Sequence, residues 1–346
     1  MNANTASTIT SFNPIYRLPH NLFDLDPAPS PNGDDADEER IETVVMNFRS
    51  SLIRHSEFQC ALKAMERCHR RGRYRFDEPD CLLITAESGC GKSTLRKEYA
   101  KRFPRSEGDE RTFIPVLDLE LPSQPTIKNV AERMLIKLGD PMAEKGSGEG
   151  KTERIKTLMQ ACGVELVILD EFQHFVDRSS EKVEYKVADW LKSLINDSKV
   201  PFVLMGLPRC RRILEVNEQL RRRFLPKAVL RRFCINRQRE IQQFAGVLKG
   251  MERILPLNAP TALTDKAVIR RIYYATHGVI DHAMKLVSEG LNIALSEHHS
   301  TIDQEILRKA FERVIWEEVS DKDNPFHPSF TERHLNGAGE PFNGYH

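Results

Sequence analysis

The chain has 346 residues, enough for one or two domains with a real core, and its 40% hydrophobic and 29% charged content is that of a globular protein rather than a fibrous one. Its charges nearly cancel, at net +1, so any preference for nucleic acid or a membrane must come from local clusters. No run of about 18 apolar residues and no basic-then-apolar leader is visible, which argues against a spanning helix or secretory signal and makes a cytoplasmic location, with no membrane partner, the expectation.

In chain order, residues 1–40 hold Pro14, Pro19, Pro27, Pro29 and Pro31 and the acidic run "DDADEE", without an apolar period, and read as a flexible tail. From 41 to 75, Val44, Val45, Phe48, Leu52 and Ile53 and then Phe58, Leu62 and Met65 fall at helical spacing, predicting two helices. Short apolar runs then alternate with helical patterns: "CLLIT" (81–85), "TFIPVLDLEL" (112–121), "VELVILD" (164–170), "VPFVLMG" (200–206) and "KAVLRRF" (227–233) are the expected strands. That alternation predicts an α/β domain over 41–235, a parallel sheet flanked by helices.

After 236 the strand signals stop, and four amphipathic patterns predict a small helical domain over 236–318, with Thr264, Asp265 and Asp303 as caps. The stretch 319–346, rich in Pro, Gly, His and Asn, reads as a second flexible tail whose Phe326, Phe330, Phe342 and Tyr345 would anchor a partner. Seven cysteines, an odd number without a CxxC pair, argue for reduced, mostly buried thiols rather than disulfides or zinc.

The sharpest motif is "ITAESGCGKST" (84–94), which follows GxxxxGK[ST] except that Ala86 stands at the first glycine. A strand, a glycine-rich turn and a helix N-terminus present a ring of backbone N–H groups, from Ser88, Gly89, Cys90 and Gly91, suited to a polyphosphate. Lys92 would reach the β- and γ-phosphates of ATP, Ser93 would ligate Mg2+, and Thr94 would lie by the α-phosphate. "LVILDEFQHF" supplies the other half: Asp170 as a Mg2+ ligand and Glu171 as the base that orients the attacking water. His174 sits one position too late for the DExH pattern of helicases, which also need two motor domains where this sequence shows one phosphate loop, so it is assigned a surface or supporting role.

Residues 207–239 carry eleven Lys or Arg against two Glu. Within them "RRRF" precedes the last strand, where arginine can meet a neighbouring subunit's γ-phosphate, making Arg222 and Arg223 the candidates for a contact in trans. The remaining basic residues, and the cluster Lys63, Arg67, Arg70, Arg71, Arg73 and Arg75, are candidate faces for duplex phosphates. With only Tyr74 and Phe76 interleaved, stacking on single strands is disfavoured.

Taken together, "AESGCGKST", "LVILDEFQHF", "VPFVLMGLPRCRRIL", "NEQLRRRF" and "THGVIDHAMKLVSEG" resemble the AAA+ ATPases of transposons, the TniB/TnsC family, over about residues 40–315. The resemblance implies an AAA+ P-loop fold with a helical lid. It also implies ring or filament assembly on duplex DNA and coupling of target-site choice, with a target-selector protein, to a transposase. It makes Thr126 and Lys128, in "PSQPTIKNV", candidate DNA contacts, with a plain helix cap at Thr126 as the competing explanation.

Two departures stand out: the fourth strand ends in Met205, Gly206 and Leu207 where a polar sensor is usual, and Gly278 is followed by Val279, Ile280, Asp281 and His282 instead of reaching a lid arginine. Both suit a slow regulatory ATPase. An initiator- or loader-like ATPase of replication or repair is the alternative within the same fold, and a small-molecule kinase is the alternative outside it.

Overall fold

The computed structural model describes residues 33–344 apart from 75, 76, 110, 178, 179, 226 and 260. Residues 41–346 form one compact unit; of residues 1–40, the described ones, 33–40, open helix α1 (Gly33–Ser50), so helix already covers the acidic run expected to be tail. Among the described residues no helix is long and apolar enough to cross a membrane.

Helix α2 (Ser56–Gly72) is followed by β1 (Leu82–Ala86) and α3 (Lys92–Ala100). The single strand expected over 112–121 is split, because Pro115 has no N–H to give a ladder. Its first part, β3 (Thr112–Phe113), pairs antiparallel with β2 (Ser106–Glu107), while β4 (Val116–Glu120) joins the main sheet. Next come α4 (Ile127–Leu138), α5 (Gly148–Ala161), β5 (Leu166–Asp170), α6 (Glu181–Ser198) and β6 (Phe202–Gly206). Short helices α7 (Arg212–Glu215) and α8 (Glu218–Arg223) lead into β7 (Lys227–Leu230). The helical region follows as α9 (Gln238–Glu252), α10 (Lys266–Thr276), α11 (Ile280–Ser296) and α12 (Gln304–Val314).

The five-stranded sheet runs β4-β5-β6-β1-β7, all parallel. The three central strands, β5, β6 and β1, are buried on both sides, so alternate side chains feed different cores. Leu83, Leu117, Val167, Leu169 and Leu204 pack with α4, α5 and α6. Leu82, Ile84, Leu166, Ile168 and Met205 pack with α2 and α3. Helix α5 escaped the sequence pattern because glycines open it and its buried face is sparse, resting on Lys151, Thr152, Ile155 and Met159; Ser147 caps it by accepting from Gly150 N–H at 3.1 Å.

The segment after α12 corrects the expectation of a loose tail. Phe326, Phe330, Leu335 and Phe342 are buried in the core built by α9–α12, so they are structural anchors rather than side chains displayed for a partner; Tyr345 lies outside the described residues. Polar contacts fasten the same segment: Arg271 donates to the carbonyl of His327 at 3.1 Å, and Arg333 pairs with Asp323 at 2.7 Å and Glu340 at 2.6 Å. Apolar side chains spaced irregularly along a turn-rich chain give no period, yet each fills a site in a core that α9–α12 leave open.

The cysteines match the expectation of inert thiols. All seven are free, five are buried, and burial pushes Cys81, Cys90 and Cys210 up to about 12.

Two outcomes test this packing. Phe342 stacks on His277 and His282, each 5.3 Å between ring centres, so Phe342→Ala is expected to destabilise the protein by about 3–5 kcal/mol, read from the urea midpoint. His277 accepts from Arg232, and burial followed by the Arg232 charge pushes its imidazole from 6.5 down to about 4. The unfolded chain therefore binds the proton first, and stability is expected to fall as pH drops from 6.5 towards 4. His55, pushed down to about 4 by burial, adds to the same slope. His277→Asn, which tolerates the left-handed backbone there (φ 51), is expected to flatten the dependence of Tm on pH in that window.

Candidate functional site

Ala86 closes β1 with ordinary backbone geometry, so the first glycine of the motif is not needed. The turn is made instead by Gly89 (φ 72) and Gly91 (φ 87), left-handed positions that glycine adopts without a Cβ clash. Gly91 is the N-cap of α3, so the helix's first N–H groups open towards the loop, where an anion is stabilised. A Cβ on Gly89 would meet Val279 Cγ1 at 2.7 Å, and the Gly89 carbonyl accepts from Asp281 N–H at 3.1 Å. The first turn of α11 is thus latched onto the phosphate loop.

Lys92 and the two carboxylates after β5 meet, as the sequence leads one to expect. Lys92 Nζ lies 3.0 Å from Asp170 Oδ1 and also bonds Glu171 Oε1. Asp170 is fully buried and takes four partners: Lys92, Glu171 N–H at 2.8 Å, Ser93 Oγ at 3.3 Å and the Arg96 guanidinium at 3.4 Å. Burial lowers the proton affinity of Lys92, but the charges and bonds of Asp170 and Glu171 outweigh it, and the ammonium is held above its ordinary range. Burial likewise raises Glu171, yet Lys92 and the Gln173 amide hold its carboxyl below the usual range.

Glu171 itself adopts φ 58, ψ 34, a left-handed conformation that costs a non-glycine residue about 1–2 kcal/mol and turns its side chain out of the strand. Two neighbours from the following 3-10 turn, Phe172–Phe175, flank its carboxylate. Gln173 Nε2 donates to Glu171 Oε2, while Gln173 Oε1 accepts from Leu207 N–H at 3.0 Å. His174 Nδ1 bonds the Pro122 carbonyl at 3.0 Å and turns Nε2 to within 3.8 Å of Glu171 Oε2. Gln173 thereby links the Leu207 N–H, just past the end of β6, to the Glu171 carboxylate. Gly206 makes room for that amide: a Cβ there would sit 2.7 Å from Gln173 Oε1.

Ser88, Gly89, Gly91, Lys92, Ser93, Thr94 and Glu171 line one cleft of about 670 Å³. Its far end is built from Leu52, Ile53 and His55 in the α1–α2 connection, from Phe58 in the first turn of α2, and from Ile280 and Met284 on α11. Sequence reasoning missed that apolar end, because its residues come from two places far apart in the chain. The signal available was the latch position itself, Gly278-Val279-Ile280. Arg54 closes the connection onto α3 through Glu98 at 2.6 Å.

Thr94 is exposed at the rim, and Cys90 is buried beneath the loop. A serine hydroxyl and one carboxylate are hard oxygen donors in the number a Mg2+ ion takes from a protein when phosphates supply the rest. Among the described residues there is no cluster of three or more His, Cys, Asp or Glu to form a metal cage.

The other sequence candidates stand apart from the cleft. Arg222 is exposed and paired with Glu218 at 2.6 Å. Arg223 turns inward: its side chain is largely buried, its Nη2 is 3.6 Å from Glu78, and its carbonyl accepts from Cys81 N–H at the start of β1. Thr126 caps α4 in a reciprocal box with Asn129, as the competing explanation had it, and Lys128 is exposed. The basic run 207–239 does not form an open face as a whole: Arg209 pairs with Asp177, Arg212 with Glu184, Arg231 with Glu57 and Arg232 with Glu87. Arg71 and Arg73 of the earlier cluster pair with Asp80 and Glu165, and Arg75 lies outside the described residues.

Residues 40–233 match the family described as "Bacterial TniB protein". No curated protein matches the chain. Similar solved structures include CDC6P from Pyrobaculum aerophilum (TM-score 0.58, 10% identity, 81% of this chain and 73% of that one). The Aeropyrum pernix ORC2 protein in its ADPNP–ADP complexes is also similar (0.52, 14%, 75% and 68%), as is Drosophila ORC bound to DNA (0.51, 14%, 86% and 72%). At such identities the likeness is one of fold, that of the AAA+ P-loop ATPases with a C-terminal helical region. With more than half of its length covered by the family match and a phosphate loop at the heart of the matched part, the chain belongs to the bacterial TniB protein family.

Proposed function

We propose that the protein is an ATP-dependent regulator of DNA transposition, which assembles on duplex DNA as a ring or filament and couples target-site selection to the transposase. The observation that carries the reading is Lys92 held between Asp170 and Glu171 at a phosphate loop, in a chain whose residues 40–233 match the TniB family. Similar folds in complexes with ADPNP, ADP and DNA support nucleotide and DNA as ligands. The same likeness to ORC and Cdc6 keeps an initiator- or loader-like role as the second reading.

In the first reading, loop N–H groups from Ser88 to Gly91 bind the phosphates, Lys92 leaves the carboxylates for the β- and γ-phosphates, and Ser93 and Asp170 hold Mg2+. The metal supplies charge compensation for the phosphates. Glu171, released from Lys92, orients water and accepts its proton, while Gln173 and His174 set its carboxylate. A base whose Oε2 is still held by Gln173 suits slow turnover and an assembly that outlives each hydrolysis event. Arg222, outward on α8, fits a contact in trans better than the inward Arg223. Lys128 and other exposed cations would meet DNA phosphates without reading bases.

Lys92→Ala is expected to abolish nucleotide binding and ATP-dependent growth of particle size on duplex DNA, measured by light scattering. Glu171→Gln should bind ATP normally and give longer-lived assemblies. Assembly by Lys92→Ala at wild-type ATP dependence would refute the nucleotide link.

Arg222→Ala is expected to lower assembly and hydrolysis while leaving monomer ATP affinity unchanged. Mixed with Lys92→Ala, it should regain part of the turnover, since neighbours can then rebuild one complete composite site. No gain at any mixing ratio, with wild-type hydrolysis by Arg222→Ala alone, would remove this arginine from the site.

A further inference from the structure

Arg96 lies one helical turn after Lys92 on α3, and its side chain is almost entirely buried. Its guanidinium reaches three carboxylates from two adjacent strands: Asp118 Oδ2 at 3.2 Å, Glu120 Oε2 at 2.9 Å and Asp170 Oδ2 at 3.4 Å. Glu120 and Asp170 are register partners on β4 and β5, so their side chains stand side by side, and Asp118 shares the face of Glu120. Nη1 and Nη2 are committed to β4 by hydrogen bonds. Nε, buried and without a hydrogen-bond partner, is the atom nearest Asp170.

Lys92 and Arg96 together face Asp118, Glu120, Asp170 and Glu171, four carboxylates against two cations. The surplus of negative charge equals that of one divalent cation.

We propose that Arg96 is a positioning residue that holds Asp170 oriented towards a divalent cation, with Asp118 and Glu120 fixing Arg96 in turn. The inference rests on the nucleotide-binding reading above and deepens it. Of the four partners of Asp170, Lys92 and Ser93 are the two whose groups a bound nucleotide and its metal would claim. Arg96 and the Glu171 N–H remain. A fully buried carboxylate left with a single neutral donor would be poorly held in place, and Arg96 is the one cation that need not leave. Its planar fork suits the task, because two nitrogens grip β4 while the third points at β5, which a lysine cannot imitate.

The test is a titration of Mg2+ against binding of a fluorescent ATP analogue, with an EDTA arm, for the wild-type protein, Arg96→Gln and Arg96→Lys. Arg96→Gln is expected to leave metal-free nucleotide affinity unchanged and to raise the Mg2+ midpoint about tenfold, the loss typical when a group supporting a metal ligand is removed. Arg96→Lys, which keeps the charge and guards against a variant that fails to fold, should raise it by a smaller factor. A residue that merely holds the fold would lower Tm and leave the midpoint where it was. An unchanged midpoint in both variants overturns the proposal. A lowered midpoint also does, since Arg96 would then be only a charge competing with the metal. A wild-type protein that binds the analogue in neither arm would instead overturn the nucleotide reading itself, with Lys92→Ala as the reference for no binding.

Discussion

Asp170 is a carboxylate with no exposure to water, and much of the surrounding structure serves to give it close polar partners. Removing an ion from water costs several kcal/mol even after the surroundings relax, so such a group persists only with close counter-charges and satisfied lone pairs. Here they come from three directions. Lys92, Ser93 and Arg96 project from the first two turns of α3, the Glu171 N–H follows in sequence, and β4 supplies the carboxylates that fix Arg96. The placement of α3 above β5 and β4 follows from this cluster as much as from the apolar contacts of Leu95 and Tyr99 beneath it.

The sheet order makes the cluster possible. With β1 between β6 and β7 and β5 one strand further out, the phosphate loop at the end of β1 lies across β6 from the end of β5. All five strands are parallel, so their carboxyl ends gather on one edge, where α/β folds bind ligands. The helical region completes the cleft where α11 starts: the Gly89 carbonyl takes Asp281 N–H, and the glycine's missing Cβ lets Val279 approach. Movement of α11 and movement of the phosphate loop are therefore mechanically linked.

How legible all this was in the sequence depended on whether the signal was local. The loop 88–94 and the pair Asp170 and Glu171 were legible because their chemistry demands fixed spacing next to a strand. The four C-terminal helices were legible from their period. Arg96 was not, since an arginine on a helix signals nothing until β4 and β5 are seen to present carboxylates to it. Gln173 was hidden for a different reason: its partner is the backbone of Leu207, which carries no side-chain signature. The apolar end of the cleft, from Leu52, Ile53 and Met284, required a tertiary contact between segments over 200 residues apart. Phe326, Phe330 and Phe342 were misjudged because composition describes the average of a segment, while a few large rings decide whether it docks.

The same distinction changes the electrostatic picture. Eleven basic residues within 207–239 look like a continuous positive face when counted along the chain. Folding distributes them among carboxylates from α2, α6, α8 and the phosphate loop, so that Arg212, Arg222, Arg231 and Arg232 each stand within ion-pair distance of an acid. Exposed pairs of this kind contribute about 0–1 kcal/mol each and exchange readily, so an incoming anion would displace an acid such as Glu218 at little cost. Arg212 differs, because its partner Glu184 is 1% exposed, and a buried carboxylate gives up a counter-charge at a higher cost than an exposed one. The surface open to a polyanion is therefore set by the burial of the acidic partners, not by the density of arginine.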